Sequence, residues 1–194
     1  MRVDTLDRML NETHAADCCR ADFLCNVCIG GWNYLTIMAP VESALAVDTR
    51  NEGVAIEVHY KNYINPSILS FDLREITGAK SSADVFRVYL KSAKALRSHE
   101  FQEVELLHQG DVRFILAGAY FQQLGGEYDF QNPVYTMRTF SSHLYRPDGT
   151  KAFPEWTGGW LGVMTKEMEQ FNEFHQQWYL TGLPATKAKD VDVP

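Results

Sequence analysis

Ser81–Leu96, SSADVFRVYLKSAKAL, followed after four residues by Phe101–Phe121, FQEVELLHQGDVRFILAGAYF, decides the class of fold. In the first stretch Ser81-Ser82-Ala83-Asp84 offers a hydroxyl N-cap and an acid for the first turn, the pattern that opens a helix. Val85, Phe86, Tyr89, Leu90, Ala93 and Leu96 then recur at helical spacing and form one apolar stripe, suited to packing on a sheet. The second stretch reads as strand over Gln102–Leu107 and turns apolar on both faces over Val112–Gln122. That predicts a hairpin whose second strand lies centrally and is covered on each side, with Gly118 allowing a close approach.

Upstream, Trp32–Met38, Ala44–Asp48, Val54–Tyr60 and Ile68–Leu73 are short β-branched or aromatic runs broken by Pro40, Asn51-Glu52-Gly53 and Asn65-Pro66. They predict adjacent antiparallel strands. Residues 4–28 hold no Pro or Gly and meet Gly30-Gly31, which predicts an N-terminal helix with a glycine stop. Downstream, the run VYTMRTFSSHLYR after Pro133 predicts a further strand, closed by the turn Arg146-Pro147-Asp148-Gly149, and Gly159–Met164 a last short one. Thr165 is placed to cap a closing helix with Glu167 and Glu169 in its first turn. Its buried side would be Met168, Phe171, Phe174 or His175, and Trp178, and Gly182 and Pro184 would end it. The expected class is α+β: a mostly antiparallel sheet with packing helices and an extra N-terminal helix. The expected organisation is a helical segment over 1–30, a sandwich domain over 31–183 and a flexible tail over 184–194.

In this order of elements the chain from about Trp32 to Leu180 resembles the PsbP/DcrB-like α/β sandwich fold. The resemblance rests on early strands, the sheet-packing helix SSADVFRVYLKSAKAL, the hairpin FQEVELLHQGDVRFILAGAYF, a further strand pair and a closing helix. The N-terminal helix and the segment Lys151–Thr157 depart from it. A nuclear-transport-factor-like cone is the alternative arrangement. What the resemblance implies is a non-catalytic binding, assembly or chaperone-like module.

Length and composition bound the function. At 194 residues, 45% hydrophobic and 22% charged, the chain has the make-up of one cored domain. A formal charge of −7 speaks against a phosphate-backbone footprint, so nucleic acid is not an expected partner. All four cysteines, Cys18, Cys19, Cys25 and Cys28, fall in one N-terminal window. That clustering predicts reduced thiols and a cytoplasmic location rather than a disulfide framework. Acidic residues at 4, 7, 12 and 17 interrupt any signal-peptide pattern, and Phe23–Ile29 is too short to span a bilayer.

On one helix, His14, Cys18, Cys25 and Cys28 would share a face, as soft ligands for zinc would. Yet Cys18 and Cys25 are seven residues apart, about 10.5 Å along a straight helix, against the roughly 4.6 Å that ligands of one zinc allow. No metal and no cofactor are therefore expected. Cys25-x-x-Cys28 has redox-pair spacing, but near a helix C-terminus the dipole would raise a thiol pKa, not lower it. The six histidines are scattered, and no nucleophile-elbow, phosphate-loop or dinucleotide pattern occurs. His143 beside Ser141 and Ser142 is the one acid–base candidate, given a carboxylate from another strand.

The recognition candidates are aromatic and basic. Phe153, Pro154, Trp156, Gly158-Gly159 and Trp160 make an aromatic-rich loop, and tryptophan anchors concentrate binding energy. Gly125-Gly126 with Glu127-Tyr128-Asp129-Phe130 reads as a second, hairpin loop. Arg87, Lys91 and Lys94 share a helix side in an acidic chain, where they would meet an acidic partner. The expected function is a non-catalytic module that binds another protein or peptide through Trp156, Trp160, Phe153, Arg87, Lys91 and Lys94. The alternative is a small hydrolase-like enzyme with a His-centred site assembled from separate strands.

Overall fold

The computed structural model describes residues 27–180. Five helices and one five-stranded mixed sheet make an α+β fold, as the sequence predicts. In chain order these are helix α1 (27–46), strands β1 (Val54–Lys61) and β2 (Asn65–Ile76), helix α2 (Ser82–Ala95), strands β3 (Glu103–His108) and β4 (Asp111–Ala117), helices α3 (Gly118–Glu127) and α4 (Pro133–Phe140), strand β5 (Leu144–Tyr145) and helix α5 (Trp160–His175). The strands lie in sequence order, β1-β2-β3-β4-β5. Every pair is antiparallel except β2 and β3, which α2 joins by a parallel crossover.

One rung crosses the whole sheet: Tyr60, Leu69, Val104, Leu116 and Leu144 are neighbours on successive strands, and all are buried. The next rung is Val58, Phe71, Leu106 and Phe114. Because side chains alternate along a strand, these rungs share one face, and the helices cover it. Phe71 meets Tyr89 of α2 edge-on at 5.1 Å and Trp178 at 6.1 Å. Phe114 meets Phe174 of α5 at 5.4 Å. The opposite face is polar, carrying Glu57, His59, Ser70, Asp72 and Glu105.

Helix α2 follows its local code. Ser81 accepts from the Asp84 amide, and the Asp84 carboxylate accepts from the Ser81 amide at 2.9 Å, a reciprocal capping box. Strands β1, β2 and β3 also fall on the runs at Val54–Tyr60, Ile68–Leu73 and Gln102–Leu107 that read as strand.

Several expected strands are helical instead. Trp32–Met38 and Ala44–Asp48 belong to α1 or its exit, and the helix runs through Gly30-Gly31 and across the expected boundary at residue 30. Each glycine disfavours a helix by about 1 kcal/mol, and tertiary contacts outweigh that. Ile37 and Val41 are fully buried on one face, Trp32 stacks on Tyr60 at 4.8 Å, and buried Asn33 accepts from the Tyr60 amide at 2.9 Å. Pro40 is absorbed by a π-turn over Tyr34–Met38, in which the Ala39 amide reaches back to the Tyr34 carbonyl.

The run from Val112 ends as a strand at Ala117. The Gly118 amide donates to the Gln102 carbonyl at 2.8 Å, and a Cβ on Gly118 would stand 1.9 Å from the Phe101 carbonyl oxygen. The anticipated close approach is there, and it turns the chain into α3, so Gly125-Gly126 is helical rather than a hairpin loop. The run after Pro133 is α4, with Asn132 accepting from the Val134 amide as N-cap and Pro133 at the helix start. Gly159–Met164 opens α5. Thr165 is interior to that helix, its hydroxyl donating back to the Leu161 carbonyl at 3.1 Å. Phe171, Phe174, His175 and Trp178 are buried and Met168 half-buried, as the stripe requires. Residues 1–26 and 181–194, which carry His14, Cys18, Cys19, Cys25, the helix stop at Gly182-Pro184 and the tail, lie outside the described residues.

Candidate functional site

Helix α4 is the hub of the recesses on the helical side. Phe140 and Thr136 anchor it in the core, and its flanks wall four separate clefts. On the α5 side of this hub lies the aromatic segment. Gly158, at φ +141°, takes a backbone conformation suited to glycine, and Gly159 leads into α5. Trp156 is 42% exposed, Trp160 67% and Leu161 66%. Gln170 fixes the base of the segment by donating to the Pro154 carbonyl at 2.9 Å, and the Lys166 ammonium stands 5.9 Å over the Trp156 ring. Beyond it, Val134, Met164 and Met168 line an apolar groove between α4 and α5, edged by Glu169 and Asn172. Phe153 faces the other way. Its ring is buried and stacks on Phe114 at 6.0 Å, so it belongs to the core and not to the exposed surface.

The basic side of α2 is neutralised residue by residue. Arg87 pairs with Asp84, Lys91 with Asp48 at 2.7 Å, and Lys94 with Asp129 at 2.6 Å while lying over the Tyr128 ring. Asp48 is held well below the usual carboxylate range by Arg50 and then by Lys91. Asp84 is held as low, chiefly by the Ser81 hydroxyl and amide and only then by Arg87. These three cations therefore do not form an unpaired basic stripe, and they lie apart from Trp156 and Trp160.

His143 stacks flat on Tyr120 with ring centres 3.7 Å apart, in a small cleft of about 190 Å³. Its Nδ1 lies 2.9 Å from the Thr139 carbonyl oxygen and 3.2 Å from Ser142 Oγ, while the Ser142 hydroxyl donates to that same carbonyl at 2.7 Å. The carbonyl can only accept, so it draws the proton of both groups. The pair is not a base withdrawing a proton from a nucleophile. Burial pushes the Tyr120 hydroxyl up to about 12, so it remains protonated at neutral pH.

One further recess was not legible in the sequence. It lies between α2 and α4, has a volume of about 320 Å³, and is floored by Phe86, Leu90, Leu124 and Met137 beside Arg87. Its far wall is α4, whose β-branched and aromatic residues read as strand, and so no linear signal pointed to it. Among the described residues no group of three or more His, Cys, Asp or Glu is disposed to hold a metal ion, and Cys28 is exposed. No described helix is long and apolar enough to cross a membrane. Comparison of the chain with protein-family models, curated proteins and solved structures returned no match.

Proposed function

We propose that this protein is a non-catalytic protein-binding module whose contact surface is the head of α5. The observation that carries the reading is the exposure of Trp156, Trp160 and Leu161 within six residues of chain, beside a groove of Val134, Met164 and Met168. Isolated exposed apolar residues are ordinary, whereas a contiguous set rimmed by polar groups marks an interaction surface. Methionines suit an adaptable groove. From Leu161 to Met168 the α5 surface runs about 10.5 Å, which matches two turns of an amphipathic helix laid along it. The rim carries Glu169, which pairs with Lys166 at 2.7 Å, and, one turn on, the exposed Glu173. Glu173, in a chain of net charge −7, favours an occupant whose polar flank is basic. The rival reading, a hydrolase-like enzyme centred on His143, calls for a carboxylate on the imidazole, and Nδ1 faces the Thr139 backbone carbonyl instead.

The test is selection of displayed basic amphipathic helical peptides on the full chain. Enriched peptides should lose about 30-fold in affinity on Trp160→Ala, the equivalent of about 2 kcal/mol. Peptides that bind Trp160→Ala and Leu161→Glu as tightly as the parent would overturn the proposal, as would a failure to enrich any. A reversible dimer in sedimentation that Leu161→Glu dissolves would replace the partner helix with a second copy.

A further inference from the structure

The recess between α2 and α4 is separate from that surface and has a different chemistry. We propose that it binds a small amphiphilic carboxylate, whose apolar body lies on Phe86, Leu90, Leu124 and Met137 and whose head group is held by Arg87. At about 320 Å³ the recess lies at the lower end of small-ligand sites. It has room for roughly ten atoms at about 30 Å³ each. Polar side chains stand round its apolar floor, as in sites where they fix the orientation of an otherwise apolar ligand.

Arg87 is the unusual member. Its side chain is only 22% exposed, one terminal nitrogen is paired with Asp84, and the other, Nη1, is buried with no hydrogen-bond partner. A guanidinium offers five donors in a planar fork matched to a carboxylate, so an acceptor in the recess that draws the side chain round and uncovers Nη1 would complete a set that the protein leaves short. Asp84 offsets the charge of Arg87 but engages the guanidinium through one oxygen only. Asp84 spends its second oxygen on the Ser81 amide and hydroxyl at the start of α2. Nearby, one carboxylate, Asp48, serves both Arg50 and Lys91. The only acid in the lining, Glu127, already accepts from Gln123 at 2.9 Å and Gln131 at 3.5 Å. An anionic head meets the guanidinium of Arg87, whereas a cationic head finds in the lining one acid, Glu127, whose two oxygens already accept from amides.

Calorimetric titration of the full chain with octanoate, octan-1-ol and octylamine tests this. Octanoate should bind at least tenfold more tightly than octan-1-ol, and octylamine more weakly still. Arg87→Met should bring octanoate down to the level of octan-1-ol, and Arg87→Lys should retain most of the difference. Ala83→Trp, at an exposed lining position, should weaken octanoate and octan-1-ol alike. Trp160→Ala should change neither, which separates this site from the protein-binding surface. Equal binding of octanoate and octan-1-ol, undiminished octanoate binding to Arg87→Met, or no octanoate binding by the parent chain would overturn the proposal. Should Arg87→Met fail to fold, the Nε–H resonance of Arg87 in the parent chain decides: a shift on adding octanoate supports the site, and a stationary signal refutes it.

Discussion

His175 is 1% exposed and stands among Phe171, Phe174, Trp178 and Tyr179, with neither ring nitrogen hydrogen-bonded. Burial alone pulls its pKa down to about 3 from an unfolded value of 6.5. Below pH 6.5 the unfolded chain takes up a proton that the folded chain refuses, so stability present above pH 6.5 is lost as pH falls towards 3. The slope is about 1.4 kcal/mol per pH unit. Urea melts of His175→Leu against the parent at pH 7.5, 6.0 and 5.0 should show the variant losing less on acidification, and parallel losses would refute the assignment. Tyr89 poses a simpler case, for its hydroxyl is fully buried and unpartnered. Tyr89→Phe should therefore be neutral or stabilise by up to about 1 kcal/mol in the same melts. Neither residue announced this in the sequence. A histidine and a tyrosine on a helical stripe are compatible with satisfied or unsatisfied polar atoms alike.

At the scale of elements, adjacent glycines in α3 have opposite demands. A Cβ on Gly125 would stand 2.3 Å from the Ala93 carbonyl oxygen, so this glycine sets how closely α3 approaches α2. A Cβ on Gly126 would meet nothing within 4 Å. Gly125→Ala should cost about 1–3 kcal/mol or more, because backbone cannot yield as a side chain can. Gly126→Ala should instead stabilise by about 0.5 kcal/mol through the unfolded state. Thermal melts moving in the same direction for both would contradict the packing. Read linearly, Gly125-Gly126 is a turn signal, and only the neighbouring helix reveals one glycine as a contact and the other as slack. Likewise α4 offers Asn132-Pro133 as a helix start, but the residues behind, Val134, Tyr135 and Thr136, read as strand. Its neighbours decide between these: Phe140 of α4 meets Phe86 edge-on at 4.9 Å and Phe174 at 5.2 Å.

Across the whole molecule, one short segment divides its aromatic residues between core and solvent. Phe153→Ala should cost about 3–5 kcal/mol, whereas Trp160→Ala should stay within about 0.5 kcal/mol. A large melting loss for Trp160→Ala and Trp156→Ala would remove the basis for the binding surface. Composition could not make this division, since Phe153, Trp156 and Trp160 are alike in hydrophobicity. The sequence by itself determined the α+β class, helix α2 with its capping box, strands β1 to β3 and the buried stripe of α5. These depend on caps and on periods of 2 or 3.6 residues, signals that act within a few positions. Only the tertiary structure decided α1, α3 and α4, the end of β4 at Gly118, and the inward or outward turn of each aromatic ring. Runs apolar on every side, or rich in β-branched residues, fit helix and strand equally until distant chain supplies a surface. Here that surface is the rung from Tyr60 to Leu144, and residues far apart in sequence complete it.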